Sequence, residues 1–471
     1  MTTTPTKIPL DVSRVQRRVL GVLSAAQIVS GVGIAVGLAL SSLVVSRLSG
    51  STVVAGFAGT ATVLGAALLA LPTARASGRG GRRAGLTLAY VSALIGSVIA
   101  VAAILLGSWQ LLLVGLVLVG GGSAGNLAAR YSATDLAPPG HAARHLSWVV
   151  WASTVGTVAG PNLVEPAEAL TEPLGLSGAA GPFALSALTF AVTALIVNIG
   201  LRPDPFILAR RIAEPDAGLS GEPHAGPHAV PLPGPRSDRD GDSPTGPEAG
   251  PDAGPRAGTG PARSHGAARD TGGRMLRTAW DALRRSPSAR RALAGIAISH
   301  TAMVSVMSMT PVHLDHQGTS ISVIGIVISV HIAGMYVLSP VVGWLADRIG
   351  RRNVMLIGMG VLICAAVLAG TAGHHNVTQV GAGLLLLGVG WSCGLVSGSA
   401  MLTDAVPIER RPAVQGLSDL LMNVCGATGT ILAGAIVGFA GYGLLGGAVA
   451  VLVGLFAVWV AVASRRPAPA L

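Results

Sequence analysis

The chain has 471 residues, of which 51% are hydrophobic and only 11% are charged. Soluble globular domains carry about 25% charged residues, so this composition and a mean hydropathy of +0.63 exclude an ordinary soluble protein. The formal net charge of +11 does not indicate nucleic acid as a partner, because the arginines lie between apolar runs, where membrane topology accounts for them. We therefore expect an all-α polytopic membrane protein.

Twelve apolar runs are each long enough to cross a bilayer, which takes about 20 residues of helix. Six runs precede a long polar stretch and six follow it, so the sequence predicts twelve transmembrane helices in two pseudo-symmetric six-helix bundles. The predicted spans, first to twelfth, cover residues 19–45, 51–72, 84–106, 108–131, 145–166, 180–201, 290–312, 321–344, 353–372, 377–401, 413–438 and 442–464.

The polar stretch between the two sets of spans is rich in Pro, Gly, Ala, Asp and Arg and has almost no large apolar side chains. Such a segment cannot offset its ordering entropy by burial, so we expect it to be disordered. After it we expect an amphipathic helix at the membrane surface. Ser286 is the expected N-cap of the helix that follows, and Pro287 is the first residue of that helix. The predicted domains are the N-terminal bundle 1–202, the linker 203–275, the interfacial helix 276–289 and the C-terminal bundle 290–471.

Arginine-rich loops alternate along the chain with loops that carry glutamate, aspartate and histidine. Basic loops of membrane proteins remain in the cytoplasm. We therefore expect a multi-pass protein of the plasma membrane, surrounded by lipid bilayer, with both termini and the central linker in the cytoplasm.

The two halves share a weak internal repeat. Thr134-Asp135 at the end of the fourth span matches Thr403-Asp404 at the end of the tenth, and Leu146-Ser147 matches Leu417-Ser418 at nearly the same offset. Two parallel six-helix repeats joined by a long loop are typical of secondary transporters.

The loop between the eighth and ninth spans has a distinctive pattern, Gly343-Trp344-Leu345-Ala346-Asp347-Arg348-Ile349-Gly350-Arg351-Arg352. Its glycines permit close packing and a tight turn, its aspartate can lie near a helix N-terminus, and its arginines can bridge to acidic groups. The pattern strongly resembles the signature of the major facilitator superfamily, which implies a secondary transporter with alternating access. The resemblance implies a conformational gate formed by Gly343, Asp347, Arg348, Gly350, Arg351 and Arg352.

The first half resembles the superfamily less closely. Gly81-Arg82-Arg83 follows the second span, but Gly78 stands where the signature has aspartate, so the gate role is not carried over to this loop. The fourth span shows no match to the arginine of many drug–proton antiporters. The fifth span contains Gly156, Gly160 and Pro161, which resemble an antiporter glycine–proline motif or simply provide close helix packing.

Two pairs of soft side chains occur on consecutive predicted spans, Met303-x-x-x-Met307 and His331-x-x-x-Met335. An i, i+4 pair lies on one face of a helix, and His300 shares the face of the first pair. Thioethers and imidazoles favour a soft metal such as Cu(I), and an ionisable side chain near the membrane midplane is a functional hypothesis by default.

The types and spacing of these four residues resemble the CcoA-like copper importers of the superfamily. The resemblance implies copper uptake through Met303, Met307, His331 and Met335, with copper as a transported substrate rather than a cofactor. Methionine and cysteine are concentrated in the second half, which argues against a uniform use of sulfur as core filler. Packing, or contacts to an organic solute, remains the alternative explanation of the pattern.

Asp419, early in the eleventh span, is the candidate for coupling transport to a proton, because a buried carboxylate can be protonated near neutral pH. The alternative is an acid paired with Arg410 or Arg411 at the cytoplasmic surface. No nucleophile–base pair, metal-hydrolase spacing or nucleotide-binding loop occurs, so we expect no enzyme activity. The rival functions are a proton-coupled permease or exporter of an organic solute and a non-transporting membrane sensor.

Overall fold

The computed structural model describes residues 11–51, 54, 57–171, 178–219, 271–373 and 376–463, and these are helical with short turns and no strand. The helices before the central gap are α1 (Val12–Ser49), α2 (Phe57–Leu105), α3 (Trp109–Ser132), α4 (Ala142–Ala159), α5 (Val164–Thr171), α6 (Gly181–Gly200) and α7 (Pro205–Leu219). The helices after it are α8 (Thr271–Arg285), α9 (Pro287–His316), α10 (Ile321–Tyr336), α11 (Ser339–Ile349), α12 (Arg351–Gly370), α13 (Val377–Asp404) and α14 (Arg411–Ala463).

Nine helical stretches in the described ranges are long and apolar enough to cross a membrane. Two of them, α2 with 49 residues and α14 with 53, are much longer than one crossing requires. Each contains one glycine with non-helical dihedral angles, Gly81 at φ 82° and Gly441 at φ 81°. Glycine adopts positive φ without the steric cost of a Cβ atom, so the chain reverses there without a longer loop.

The segment 203–275 was predicted to be disordered, and this is wrong at both of its ends. Residues Pro205–Leu219 form α7, and α8 begins at Thr271. The Asp204 carboxylate caps α7 by accepting the backbone N–H of Phe206 at 3.0 Å, and the ring of Phe206 is 2% exposed. One buried aromatic side chain and one cap therefore order a stretch whose composition alone is unfavourable. Residues 220–270 lie outside the described residues.

A helix is present where the sequence predicts the helix 276–289, with shifted ends. It forms α8 and ends at Arg285 rather than at residue 289, because Ser286 caps the following helix by accepting the backbone N–H of Ala289 at 3.1 Å. Ala279 and Leu283 of α8 are buried, whereas Trp280 is 56% exposed. The helix thus has one face on the protein, while the apolar side chains of Leu276 and Trp280 are exposed.

The core of the second half contains buried methionines besides those of the predicted metal site. Met355, Met359 and Met422 are buried there together with Met303 and Met335. A Cβ atom added at Gly295 would lie 2.6 Å from the sulfur of Met355, so this side chain fills space above a glycine. Methionine therefore also fills the core of this half, where flexible thioethers occupy the gaps that small residues leave, so its concentration here does not by itself indicate a metal site.

Two glycines of α12 differ in how closely another helix approaches them, so substituting each by alanine tests the packing of this helix. A Cβ atom at Gly358 would lie 2.5 Å from the Cβ of Cys393, whereas one at Gly360 would meet nothing within 4 Å. We expect Gly358→Ala to lower the free energy of unfolding by about 1–3 kcal/mol through overpacking, and Gly360→Ala to leave it unchanged or slightly higher. Thermal unfolding in detergent measures both, and equal melting temperatures would contradict the packing described.

Candidate transport site

The described residues form two helical bundles, which we call the first bundle (residues 11–219) and the second bundle (residues 271–463). They meet through charged contacts at one end of the molecule, where the chain turns between α3 and α4 and between α11 and α12. We call this the basic end, because Arg82, Arg130, Arg144 and Arg351 all lie there.

The first seam between the bundles lies between α11 and α4. A Cβ atom at Gly343 would clash with the hydroxyl oxygen of Ser147 and would lie 2.7 Å from the carbonyl oxygen of Ala143. One turn further on, the Asp347 carboxylate accepts the backbone N–H groups of Ala143 and Arg144 at 3.2 and 2.9 Å. A carboxylate of the second bundle thus caps the positive N-terminal end of a helix of the first bundle.

The other predicted gate residues divide into two groups. Arg351 forms ion pairs with Asp404 and, at 3.6 Å, with Asp347, so it connects that carboxylate to the second bundle. Gly350 turns the chain between α11 and α12 at φ 96°. Arg348 instead lies over the ring of Trp344, 5.0 Å from its centroid, and among the described residues neither Arg348 nor Arg352 forms an ion pair.

The second seam lies between α2 and α14 and depends on Arg82. Its guanidinium donates to both oxygens of Asp135 at 2.6 and 3.0 Å and, across the bundles, to the amide oxygen of Gln415 at 2.7 Å. By the sequence match of Asp135 with Asp404, the Arg82–Asp135 pair corresponds to the Arg351–Asp404 pair. The sequence assigned no gate role here because Gly78 replaces the aspartate, and it missed that Arg82 itself bridges the bundles.

A third buried contact crosses between α3 and α14. Arg130 donates to Asp419 at 2.8 Å, and the two side chains are 2% and 5% exposed. The adjacent Tyr131 hydroxyl donates to Ser418 at 3.1 Å. The sequence pattern does not predict this role of Arg130, because Arg130 lies in the last turn of the fourth span, where a boundary arginine resembles ordinary positive-inside charge. Asp419 pairs with Arg130 and not with Arg410 or Arg411.

The predicted metal ligands all lie on helices that pack against α13. His331 is fully buried, and its Nδ1 lies 2.8 Å from the carbonyl oxygen of Leu384. A Cβ atom at Gly388 would lie 2.7 Å from the backbone nitrogen of Met335. Met303 and Met335 are 4% and 9% exposed, and Met307 is partly buried against the same core. A lipid-facing location of Met303, His331 and Met335 is therefore excluded.

The depth of these ligands follows from the antiparallel packing of α9 on α13. Ser299 lies against Gly394, since a Cβ atom at Gly394 would be 2.5 Å from the serine hydroxyl. Met303 and Met307 continue the same face toward the other end of α13, with a rise of about 1.5 Å per residue. By this rise they reach the level of α13, near Gly388, at which His331 and Met335 also pack. The four side chains thus share one depth within the second bundle.

The imidazole of His331 has a free lone pair. A carbonyl oxygen can only accept, so the Nδ1 atom facing Leu384 carries the proton and Nε2 is unprotonated in the neutral ring. Nε2 is buried and has no hydrogen-bond partner in the described part of the chain. Among the described residues, no group of three or more His, Cys, Asp or Glu side chains could hold a metal ion, so a metal at His331 requires thioether ligands.

His300 belongs to a different cluster from the other predicted ligands. The Trp391 indole donates to its Nδ1 at 3.1 Å, and the ring of Tyr336 packs edge-on against Trp391 at 5.8 Å between centroids. His300 is therefore already hydrogen-bonded, and the structure places it with aromatic side chains of α10 and α13. A Cβ atom at Gly426 of α14 would lie 2.9 Å from its Nε2.

The glycine–proline pattern of the fifth span is a packing surface for α1. A Cβ atom at Gly156 would lie 2.9 Å from the Cα of Gly31, and one at Gly160 would lie 3.2 Å from the carbonyl oxygen of Val32. The α-helical part ends at Ala159, and Pro161 lies in the 3-10 turn Gly160–Leu163. Absence of a Cβ lets the two backbones approach closely here.

Long apolar helices in two bundles, joined by charged contacts at one end, define a multi-pass membrane protein. The family model described as Major Facilitator Superfamily matches residues 23–320 and 292–471. The chain therefore belongs to the major facilitator superfamily, and it is a transporter rather than an enzyme.

Several relatives match this chain over nearly its whole length. The MFS-type transporter YdeG of Bacillus subtilis (strain 168) is 31% identical over 94% of this chain and 92% of its own length. The riboflavin transporter RfnT of Brucella anthropi is 24% identical over 90% of both chains. The crystal structure of the human organic anion transporter MFSD10 (TETRAN) aligns with a TM-score of 0.67 at 15% identity, over 94% of this chain and 99% of that one. The last likeness concerns the fold alone.

The buried Arg130–Asp419 pair should contribute to the stability of the folded protein. Asp419→Ala leaves a guanidinium buried without its partner, so we expect the free energy of unfolding to fall by about 3–5 kcal/mol. Arg130→Met combined with Asp419→Leu replaces the pair by apolar side chains and should lie closer to the wild type. Denaturation of the purified variants in detergent measures this coupling. Additive losses in the double variant would contradict a buried pair.

Proposed function

We propose that this chain moves a small solute across the plasma membrane by alternating access between two six-helix bundles. The breaks at Gly81 and Gly441 divide two of the nine long helices, which makes eleven segments, and α4 with the turn and α5 that follow it supplies a twelfth. The positions of the arginines support cytoplasmic termini and a cytoplasmic basic end. In this orientation, the two seams and the Arg130–Asp419 pair hold the cytoplasmic side closed.

The gate residues act together in this proposal. Opening the basic end removes the Asp347 carboxylate from the α4 N-terminus and separates Arg82 from Gln415. Each group then exchanges a protein partner for water, so the closed and open states differ little in net free energy. Such a balance is what a transporter needs, because a strongly preferred state would stop the cycle.

We propose Cu(I) as the cargo, with Met303, Met307, His331 and Met335 as its ligands. The observation that carries this proposal is the buried, unpartnered Nε2 of His331 at the depth of the three thioethers. A hydrogen bond from Nδ1 to a backbone carbonyl orients a ligating imidazole and raises the basicity of its other nitrogen. Soft sulfur and imidazole ligands suit Cu(I) better than hard divalent cations. In this proposal His300 remains in the aromatic cluster and does not ligate copper.

Copper uptake tests the proposal with variants that preserve volume. His331→Asn keeps a donor toward the Leu384 carbonyl but lacks Nε2, and Met303→Leu and Met307→Leu remove sulfur with little change in size. We expect each to reduce radiolabelled copper uptake by cells at least about tenfold, since loss of one good ligand interaction is worth roughly 1.4 kcal/mol or more.

The matched control is Met309→Leu, on the same helix but outside the ligand set, which should take up copper like the wild type. Protein amount in the membrane and melting temperature are measured for every variant. If His331→Asn, Met303→Leu and Met307→Leu each take up copper at the wild-type rate, copper is not the cargo bound by these residues.

A second candidate cargo is a flat heteroaromatic solute, favoured by the aromatic cluster. Trp391, Tyr336 and His300 form neighbouring ring contacts, and ring faces of this kind bind planar solutes by stacking. Arg130 keeps Nε and Nη1 buried without a partner among the described residues, so it can donate to an acceptor on such a solute. Similarity to the riboflavin transporter RfnT supports this class.

Riboflavin uptake in the absence of copper distinguishes the two candidates. If the cargo is a flavin-like solute, Trp391→Leu reduces its uptake at least about tenfold through loss of aromatic stacking, and His331→Asn leaves it unchanged. The copper proposal predicts the reverse pattern for copper uptake. Membership in a superfamily of transporters argues against the remaining alternative, a non-transporting sensor.

We propose that Asp419 couples transport to a proton. Its carboxylate is buried, and its ion pair with Arg130 joins the two bundles, so protonation weakens the contact that keeps the basic end closed. In proteoliposomes, Asp419→Asn should lose accumulation driven by a pH gradient but retain exchange of labelled copper or riboflavin at equal concentrations. Asp419→Glu should retain both. Gradient-driven accumulation by Asp419→Asn at the wild-type rate would exclude this role.

A further inference from the structure

The two seams of this transporter are unequal at one matched position. In the first seam, the Asp347 carboxylate fills the space at the N-terminus of α4. The matching residue of the second seam is Gly78, and the matching helix is α14, whose first turn contains Pro412. A Cβ atom at Gly78 would lie 3.6 Å from the side chain of Pro412, so the two surfaces touch but no acidic group lies between them.

A cleft of about 230 Å³ occupies this place, and its charge is positive. Arg75 and Arg79 of α2 and Arg274 of α8 line it, and none of these arginines forms an ion pair within the described ranges. Glu409 is the acidic residue on its wall, so three positive charges face one negative charge. The beginning of α14 adds the positive end of a helix dipole. The cleft therefore attracts an anion.

The cleft continues into an apolar slot on the outside of the bundle. The slot has a volume of about 420 Å³, shares Arg75, Arg79 and Met275 with the cleft, and extends along Leu71, Pro72 and Leu88. Leu88 is 41% exposed and Trp280 of the neighbouring α8 is 56% exposed. An anionic site that opens directly onto apolar side chains at a membrane surface fits an amphiphile with a phosphate and acyl chains, rather than a free anion.

We propose that an anionic phospholipid from the leaflet at the basic end binds here, with its phosphate between Arg75, Arg79 and Arg274. The phosphate takes the place that a carboxylate occupies in the first seam, and an acyl chain lies in the slot beside Met275. Because α2 belongs to the first bundle and α8 and α14 to the second, the bound lipid bridges the bundles. It stabilises the state that is closed at the basic end. This inference does not depend on the identity of the cargo.

Native mass spectrometry of the purified full-length protein tests the site, with phosphatidylglycerol and phosphatidylcholine added separately. We expect one preferentially retained phosphatidylglycerol, and at least about tenfold weaker retention in Arg75→Gln/Arg79→Gln/Arg274→Gln, since each arginine near an anionic lipid strengthens binding severalfold. The control Arg14→Gln/Arg17→Gln/Arg18→Gln removes the same charge from exposed positions of α1 and should retain the lipid. Equal retention by both triple variants would overturn the proposal.

A single substitution gives a second, sharper test. Gly78→Asp supplies the missing carboxylate in a helix with ordinary van der Waals space for it, so it should displace phosphatidylglycerol, while the uncharged Gly78→Asn retains it. Undiminished lipid binding by Gly78→Asp would contradict the assigned position. Equal retention of phosphatidylcholine would contradict the charge argument, and displacement by an equal concentration of inorganic phosphate would show a free-anion site instead of a lipid site.

Discussion

Burial of charge between the two bundles is the constraint on which the rest of this structure depends. Arg82 and Arg130 are almost completely removed from solvent, and a buried guanidinium is stable only with well-placed hydrogen-bond acceptors. Asp135 and Gln415 satisfy the first, and Asp419 satisfies part of the second. Because two of these three acceptors belong to the opposite bundle, the bundles can separate at the basic end only when water or another group replaces them.

Small residues make these contacts possible. Gly343 lets α11 approach α4 closely enough for Asp347 to reach the backbone of Ala143, and Gly416 packs against Ala74 where α14 crosses α2. A larger side chain at either crossing would hold the helices apart and lengthen the charged contacts nearby. Close packing and electrostatics are therefore coupled, and both seams, rather than one motif, join the bundles at the basic end.

The two seams use different chemistry for the same purpose. The first relies on a carboxylate at a helix N-terminus, whereas the second relies on Arg82 bridging to Gln415. In our proposal, this asymmetry provides two independent ways to shift the balance between closed and open states. One acts through the Asp347 carboxylate and the other through a bound anionic lipid. In the copper proposal, the cargo ligands and the residues of the two seams are separate groups, because the imidazole of His331 is buried within the second bundle.

Sequence alone determined the membrane class, the position of most helices, the cap at Ser286 and the superfamily, because these depend on local hydropathy, spacing and backbone preference. It also identified Gly343 and Asp347 as candidate gate residues and Asp419 as a candidate coupling residue. Only the tertiary structure decided which residues the candidate side chains contact. Asp419 pairs with Arg130 rather than with Arg410 or Arg411. His300 accepts a hydrogen bond from Trp391 rather than joining a metal cluster. Residues 130 and 419 are far apart along the chain, and no local pattern encodes which buried charge will meet which, since that depends on how two bundles dock.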